Sequence, residues 1–316
     1  MIKIVNLQVD YETTLRAVDN ITVTVPKGAI YGLIGNNGAG KTTTMRAIMG
    51  LTESTHGEIY LNGIDAINDR EKALAKTGFM PDFGIQADDM KLWEFLDLFA
   101  ASYGIEESAR PDSISYYLRL MNLYDKRDTF IKGLSRGMMQ RLMMAKTLIA
   151  DPDILILDEP ASGLDPSSRM LLKNILLEKK SEGQTILISS HVLPDLQDIC
   201  DHVGIMEKGK MVVSGNINEI MESPEQETRY EIMVKGDAEK AKMIIDAGGK
   251  VKDTNLNIDT ITFAIIDNTD DTIMGTLVTE LMAQGVTVQS FGKTKMDLEY
   301  LMSLTDKMGN GGENNG

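Results

Sequence analysis

The run Gly35-Asn36-Asn37-Gly38-Ala39-Gly40-Lys41-Thr42-Thr43 meets every defined position of the pattern G-x-x-x-x-G-K-[ST], and residues of these types at this spacing hold phosphate. Gly35, Gly38 and Gly40 allow the backbone to wrap tightly with its N–H groups turned inward, and a helix starting at the end of the run adds partial positive charge. Lys41 adds a full charge. An ammonium about 4 Å from a phosphate oxygen gains about 4 kcal/mol at an effective dielectric of about 20, before screening. Thr42 can offer its hydroxyl to Mg²⁺. The alternative is a glycine-rich turn that binds nothing. The flanks oppose it, because Ala29 to Ile34 reads as a buried strand and Thr42 to Met49 as a helix.

A second constellation lies in Ile154-Leu155-Ile156-Leu157-Asp158-Glu159-Pro160, where an apolar strand delivers two carboxylates at its carboxyl end. Asp158 suits indirect Mg²⁺ coordination, and Glu159 suits polarising an attacking water as general base. Strand alternation predicts that the two face opposite ways. A merely solvated acidic strand end is the alternative, and the upstream phosphate loop weighs against it. In Leu134-Ser135-Arg136-Gly137-Met138-Met139-Gln140-Arg141, Ser135 reads as an N-cap and Gly137 leaves the helix start uncluttered, so N–H groups and a hydroxyl face an anion. Taken alone, this is an ordinary helix start.

These groups need a scaffold that brings several strand ends together. Ile2 to Val9 reads as a strand, and Ile21 to Val25 with Ala29 to Ile34 as a pair turned at Pro26-Lys27-Gly28. Gly57 to Gly63 is a strand closed by Asn62-Gly63, and Gly78-Phe79-Met80-Pro81 is a short strand closed by proline. Helical spacing over Leu92 to Tyr103, Ser113 to Leu123 and Ser135 to Ala150 defines a helical insert over roughly residues 83–150. Short apolar runs at Ile154 to Leu157, Thr185 to Ile188 and Val203 to Met206 have the form of parallel strands covered on both faces. Helical stretches at Ser167 to Lys180 and Leu193 to Cys200 alternate with them, as in an α/β sheet.

Beyond a polar linker at 223–228, the pattern restarts. Tyr230 to Val234, Ala238 to Ala247, Lys250 to Asn255, Thr260 to Ile265, Thr272 to Gln284 and Val286 to Ser290 read as βαββαβ, a small ferredoxin-like α+β domain, with a further helix at Met296 to Leu304. The organisation predicted is residues 1–222, the linker, an accessory domain at 229–305 and a disordered tail at 306–316.

Composition sets outer bounds. The chain's 316 residues, 42% hydrophobic, allow one large domain with a real core and a smaller one. No apolar stretch approaches the roughly 20 residues of a membrane span, and Met1-Ile2-Lys3-Ile4 reads as strand instead of signal peptide, so the expected location is cytoplasmic. The formal charge of −15 opposes nucleic acid and anionic lipid as partners. Cys200 is the single cysteine and reads as a small buried residue in a reducing compartment. The 21 methionines read as core and gap filling.

Taken together, the phosphate loop, the segment from Leu134 to Arg141 and Asp158-Glu159-Pro160 resemble the nucleotide-binding subunit of an ATP-binding-cassette transporter, in that family's order and over about residues 1 to 220. The resemblance implies a P-loop NTPase fold of the cassette type. Ala161-Ser162-Gly163-Leu164-Asp165-Pro166 resembles the family's D-loop, and His191 after Ser189-Ser190 its switch histidine, which would sense or position the γ-phosphate. Tyr11 matches the aromatic that stacks on adenine, with an edge aromatic packed on the sheet as its alternative. His56 and His202 lack such context and read as structural. The resemblance further implies ATP and Mg²⁺ as ligands and a head-to-tail dimer, with itself or a second cassette, in which one chain's phosphate loop and the other's Ser135–Gly137 segment share each ATP.

Two segments depart from the family pattern, at three positions. Arg136 and Met138 stand where the commonest signature has Gly and Gln. Asp82 stands where Gln or Glu is usual, shorter by one methylene or about 1.5 Å, which leaves open either a contact with Mg²⁺ or the attacking water or a surface-loop position. The region after 225, with its closing helix at Met296 to Thr305, resembles the extension on cassette subunits of multidrug, antibiotic and polysaccharide exporters. The expectation is an ATPase that drives a separate integral membrane permease, in the export direction, from the inner face of the membrane. A cassette acting as a switch on a soluble complex is the alternative.

Overall fold

The computed structural model describes residues 1–11, 15–82, 87–191, 198–222, 229–265 and 273–293. It divides into two compact units, one within residues 1–217 and the other within 218–301.

The first unit begins with strands β1 (Ile2–Tyr11), β2 (Leu15–Val25) and β3 (Ile30–Ile34), helix α1 (Lys41–Ile48), strands β4 (His56–Leu61) and β5 (Ile64–Asp65), helix α2 (Arg70–Leu74) and strand β6 (Thr77–Met80). The helical insert supplies α3 (Leu92–Ser102), α4 (Arg110–Leu120) and α5 (Arg136–Leu148). Then follow β7 (Ile154–Leu157), α6 (Pro166–Ser181), β8 (Thr185–Ser190), β9 (His202–Glu207), β10 (Lys210–Asn216) and α7 (Ile217–Glu222).

Two sheets result. One is antiparallel in the order β2-β1-β4-β5, and the other has the order β10-β9-β3-β8-β7-β6, parallel throughout except for β10 on β9. Ile2, Ile4, Leu7 and Val9 of β1 pack in one core with Met45 and Ile48 of α1 and with Ile154 and Ile156 of β7, so the helix that follows the phosphate loop is fixed between the sheets.

The expected pairing of Ile21–Val25 with Ala29–Ile34 does not form: β2 pairs with β1, and β3 lies between β8 and β9. Burial explains the difference. In β2, Ile21, Val23 and Val25 are buried while Thr22 and Thr24 are exposed, whereas all five residues of β3 are buried. A strand covered on both faces belongs inside the parallel sheet, and the turn at Pro26-Lys27-Gly28 passes the chain from one sheet to the other.

The second unit contains β11 (Arg229–Lys235), α8 (Ala238–Ala247), β12 (Val251–Asn257), β13 (Thr260–Ile265), α9 (Ile273–Ala283) and β14 (Thr287–Lys293). Its sheet is antiparallel in the order β12-β13-β11-β14, the split βαβ order of a ferredoxin-like module. Ile232, Val234, Ile261 and Phe263 pack against Ala241, Ile245, Leu277 and Leu281 of the two helices. The units divide at 217/218, so α7 belongs to the second unit beyond its first residue. The expected linker at 223–228, closing helix at 296–305 and tail at 306–316 lie outside the described residues, as does most of the helix expected at Leu193–Cys200. Among the described residues no helix is long and apolar enough to cross a membrane.

Candidate functional site

Four neighbouring parallel strands deliver the candidate groups to one edge of the larger sheet. The phosphate loop leaves β3, His191 follows β8, Asp158 and Glu159 follow β7, and Asp82 lies just beyond β6. This is the carboxyl edge, where α/β sheets place ligands.

The loop is shaped by what cannot be fitted around it. Gly40 has φ 104° and caps α1, and a Cβ there would lie 2.6 Å from the Ala17 carbonyl oxygen. A Cβ on Gly35 would collide with the Met206 carbonyl oxygen. Asn36, Asn37 and Gly38 are exposed, whereas Ala39 is buried against the sheet, so the backbone between 36 and 38 is presented outward. Lys41 is buried, and its Nζ donates to the carbonyls of Gly35 (2.6 Å) and Asn36 (3.2 Å). Burial pushes its ammonium below the ordinary lysine range, against the opposing charges of Glu159 and Asp158. Thr42 is exposed at the start of α1, and Thr43 is half-buried beside Tyr11. Partial burial pushes the Tyr11 phenol up, but hydrogen bonds with Thr52 and Thr43 and the charge of Arg46 outweigh it and hold the group below its usual value. Tyr11 is 40% exposed, so its ring stands at the rim of the loop with its hydroxyl tied to the loop's own helix.

Glu159 connects the loop to the next strand. Its Oε1 lies 3.7 Å from Lys41 Nζ and its Oε2 2.7 Å from His191 Nδ1. Strand alternation, the expected reason for the separation of Asp158 from Glu159, does not apply. β7 stops at Leu157, and Glu159 adopts φ 49°, so a left-handed residue, not strand alternation, turns the second carboxylate away. A side chain in that region costs roughly 1–3 kcal/mol, and Ser189 supports it. The Glu159 N–H donates to Ser189 Oγ (2.9 Å), while the Ser189 hydroxyl donates to Asp158 Oδ1 (2.7 Å). Ser189 thus ties the backbone at Glu159 to the carboxylate of Asp158, a link that no motif in the sequence marks. A serine at the end of a buried strand beside two carboxylates was the available signal.

The acidic edge fits a divalent cation. Asp158 is buried, and its Oδ2 and Asp82 Oδ1 are buried oxygens without hydrogen-bond partners. Burial first, then the charges of Asp158 and Glu159, raise the half-buried Asp82 carboxyl above its ordinary range. Among the described residues no three His, Cys, Asp or Glu form a self-sufficient metal centre.

Ser135 and Gly137 occupy a different neighbourhood. Ser135 caps α5, its Oγ accepting from Met138 N–H (3.3 Å), and a Cβ on Gly137 would lie 3.5 Å from the Gly163 carbonyl oxygen. Arg136, one of the two departures from the usual signature, donates through Nη2 to Ser162 Oγ (2.7 Å). The segment therefore abuts the turn after Glu159, while Ser135 and Arg136 are exposed.

The sequence profile described as "ABC transporter" matches residues 18–162. An uncharacterised ABC transporter ATP-binding protein of Synechocystis is 35% identical over 70% of this chain, and the match spans 62% of that relative's own length. The Nod factor export ATP-binding protein I of Cupriavidus metallidurans is 34% identical, with 65% of this chain and 68% of the relative aligned. A solved ATP-binding subunit of an ABC transporter is 30% identical and superposes with a TM-score of 0.65, covering 70% of this chain and 91% of that one. The chain belongs to the ABC transporter family, as one of its ATP-binding, ATP-hydrolysing subunits.

Proposed function

We propose that this chain binds MgATP between its own phosphate loop and the Ser135–Gly137 segment of a second cassette, hydrolyses it with Glu159 as general base, and so drives a separate membrane permease. The observation that carries the reading is the bridging position of Glu159, between Lys41 at 3.7 Å and His191 at 2.7 Å. The loop N–H groups and Lys41 bind and orient the phosphates, and Tyr11 at the rim takes the adenine. Thr42, Asp158 and Asp82 would hold Mg²⁺, which when bound would neutralise phosphate charge. Glu159 accepts the proton of the water as its oxygen bonds to the γ-phosphorus and the bond to ADP breaks. His191 fixes the Glu159 carboxylate and faces the γ-phosphate.

The export direction is supported by the Nod factor export relative and by the second unit, which we read as an accessory domain of exporter cassettes. The permease then holds the chain at the inner face of the membrane. Copurification from detergent-solubilised membranes tests this directly: an integral membrane protein retained at fixed stoichiometry supports the reading, and a soluble complex in its place overturns it.

A further inference from the structure

Outside the groups that face nucleotide, the first unit buries a lysine that the proposed mechanism does not use. Lys146 of α5 is 8% exposed, and among the described residues no carboxylate acts on it. Its Nζ donates to the Phe79 carbonyl (3.2 Å) and lies over the Phe99 ring at 5.1 Å. An ammonium in such surroundings is costly, and a methionine of similar length would fill the space without that cost. The hydrogen bond to Phe79 and the ring contact offset part of that cost.

The bonded carbonyl shows what the lysine holds. Phe79 lies on β6 three residues before Asp82, and the intervening Met80-Pro81 is stiff, since proline fixes its own φ and restricts the residue before it. Displacement at Phe79 is thus passed to Asp82 with little slack. From the same helix, Gln140, also buried, reaches the Asp82 carbonyl with Nε2 at 3.5 Å, a long contact that adds to the hold. Thr147 is secondary, because its hydroxyl lies closer to Met143 O (2.9 Å) than to Phe79 O (3.3 Å).

We propose that Lys146 is a positioning residue for Asp82: by anchoring the Phe79 carbonyl to α5 it brings the short Asp82 carboxylate within reach of the cluster formed by Asp158 and Glu159. The inference rests on the role of Asp82 proposed above. It explains how this chain works with a side chain one methylene shorter than the family's usual residue.

The test is steady-state phosphate release by the full chain, with Lys146→Met, Lys146→Arg, Asp82→Glu and the Lys146→Met, Asp82→Glu pair. Lys146→Met should lower kcat about tenfold with KM for ATP nearly unchanged, and raise the Mg²⁺ concentration for half-maximal rate. Its thermal midpoint should be unchanged or higher. Lys146→Arg keeps a donor and should retain most of the rate. With the longer Glu at position 82, Lys146→Met should cost less than about twofold, because reach no longer depends on the anchor. An equal loss in both backgrounds, or no loss in the native one, overturns the proposal. If Lys146→Met does not fold, Gln140→Leu takes its place with the same dependence on residue 82. Asp82→Ala separates the two levels: an unchanged rate removes the role of Asp82 itself, whereas a reduced rate beside a fully active Lys146→Met removes only the anchor.

Discussion

His191 Nδ1 lies 2.7 Å from Glu159 Oε2, so the residue after β8 holds the carboxylate that follows β7. Neither side chain could be placed so by its own strand. Glu159 reaches the contact through its left-handed backbone, and Ser189, two residues before His191, supports that backbone from the same strand end. The base and its orienting group are therefore built as one unit.

Glu159→Gln preserves the shape of this unit and removes the proton acceptor. Phosphate release should fall by at least about 100-fold while ATP still binds, and MgATP should shift the protein to a dimer on size-exclusion chromatography. Native turnover in this variant would remove Glu159 from the mechanism.

Ser189→Ala deprives both carboxylate positions at once. Asp158 would keep two buried oxygens without a donor, and the Glu159 N–H would lose its acceptor. The expected loss is about 1–3 kcal/mol of stability in urea denaturation, with a fall in kcat larger than any change in KM. A variant that keeps native stability and rate would show that the serine bridge is dispensable.

How much of this site could be read from the chain alone differs between its parts. The phosphate loop and Asp158-Glu159 stand out in the sequence as runs of residue types that follow an apolar strand, whereas His191 stands out only through the family resemblance, and the left-handed turn at Glu159 is not visible there. The parallel strands were legible as apolar runs. Strand partnership was not: Pro26-Lys27-Gly28 looks like a hairpin turn, and only the tertiary burial of both faces of β3 shows that it is a crossing between sheets. β10 was missed because its residues alternate weakly between half-buried and exposed and its turn, Lys208-Gly209, lacks the usual Asn or Asp. Ser189, Arg136 and Lys146 act through contacts with residues 26 to 67 positions away, which no local pattern encodes.

Cys200 offers a check on the core that is independent of nucleotide. Burial, with Asp201 adding to it, pushes its thiol up to about 12. A thiol of that kind is ionised to about one part in ten thousand at pH 8, against roughly a quarter for a free cysteine. Reaction with an aromatic disulfide reagent at pH 8 should therefore be slowed by at least about 1,000-fold in the folded chain and become fast in denaturant. Raising the pH from 7 to 9 should leave the folded chain largely unreacted. Rapid native labelling would mean that the strand end beside β9 opens freely.

The shared-site dimer is tested by complementation. Lys41→Ala disables the phosphate-loop half by removing its charge, and Ser135→Arg disables the other half by replacing the cap of α5, which accepts from Met138 N–H, with a bulky side chain. Each mutant homodimer then carries two damaged sites. In a mixed dimer one composite site holds both lesions and the other holds neither, since each site draws one half from each chain. Mixing the two inactive proteins with MgATP should restore up to about half of the native phosphate release per mixed dimer. Hydrolysis that needs two intact sites would give no recovery even with correct geometry, so ATP-dependent formation of mixed dimers from differently tagged chains is measured beside it. Mixed dimers without turnover would retain the shared site and show that both sites must fire. Absence of both signals, when the native protein gives both, would rule out a homodimer and make a different cassette subunit the partner.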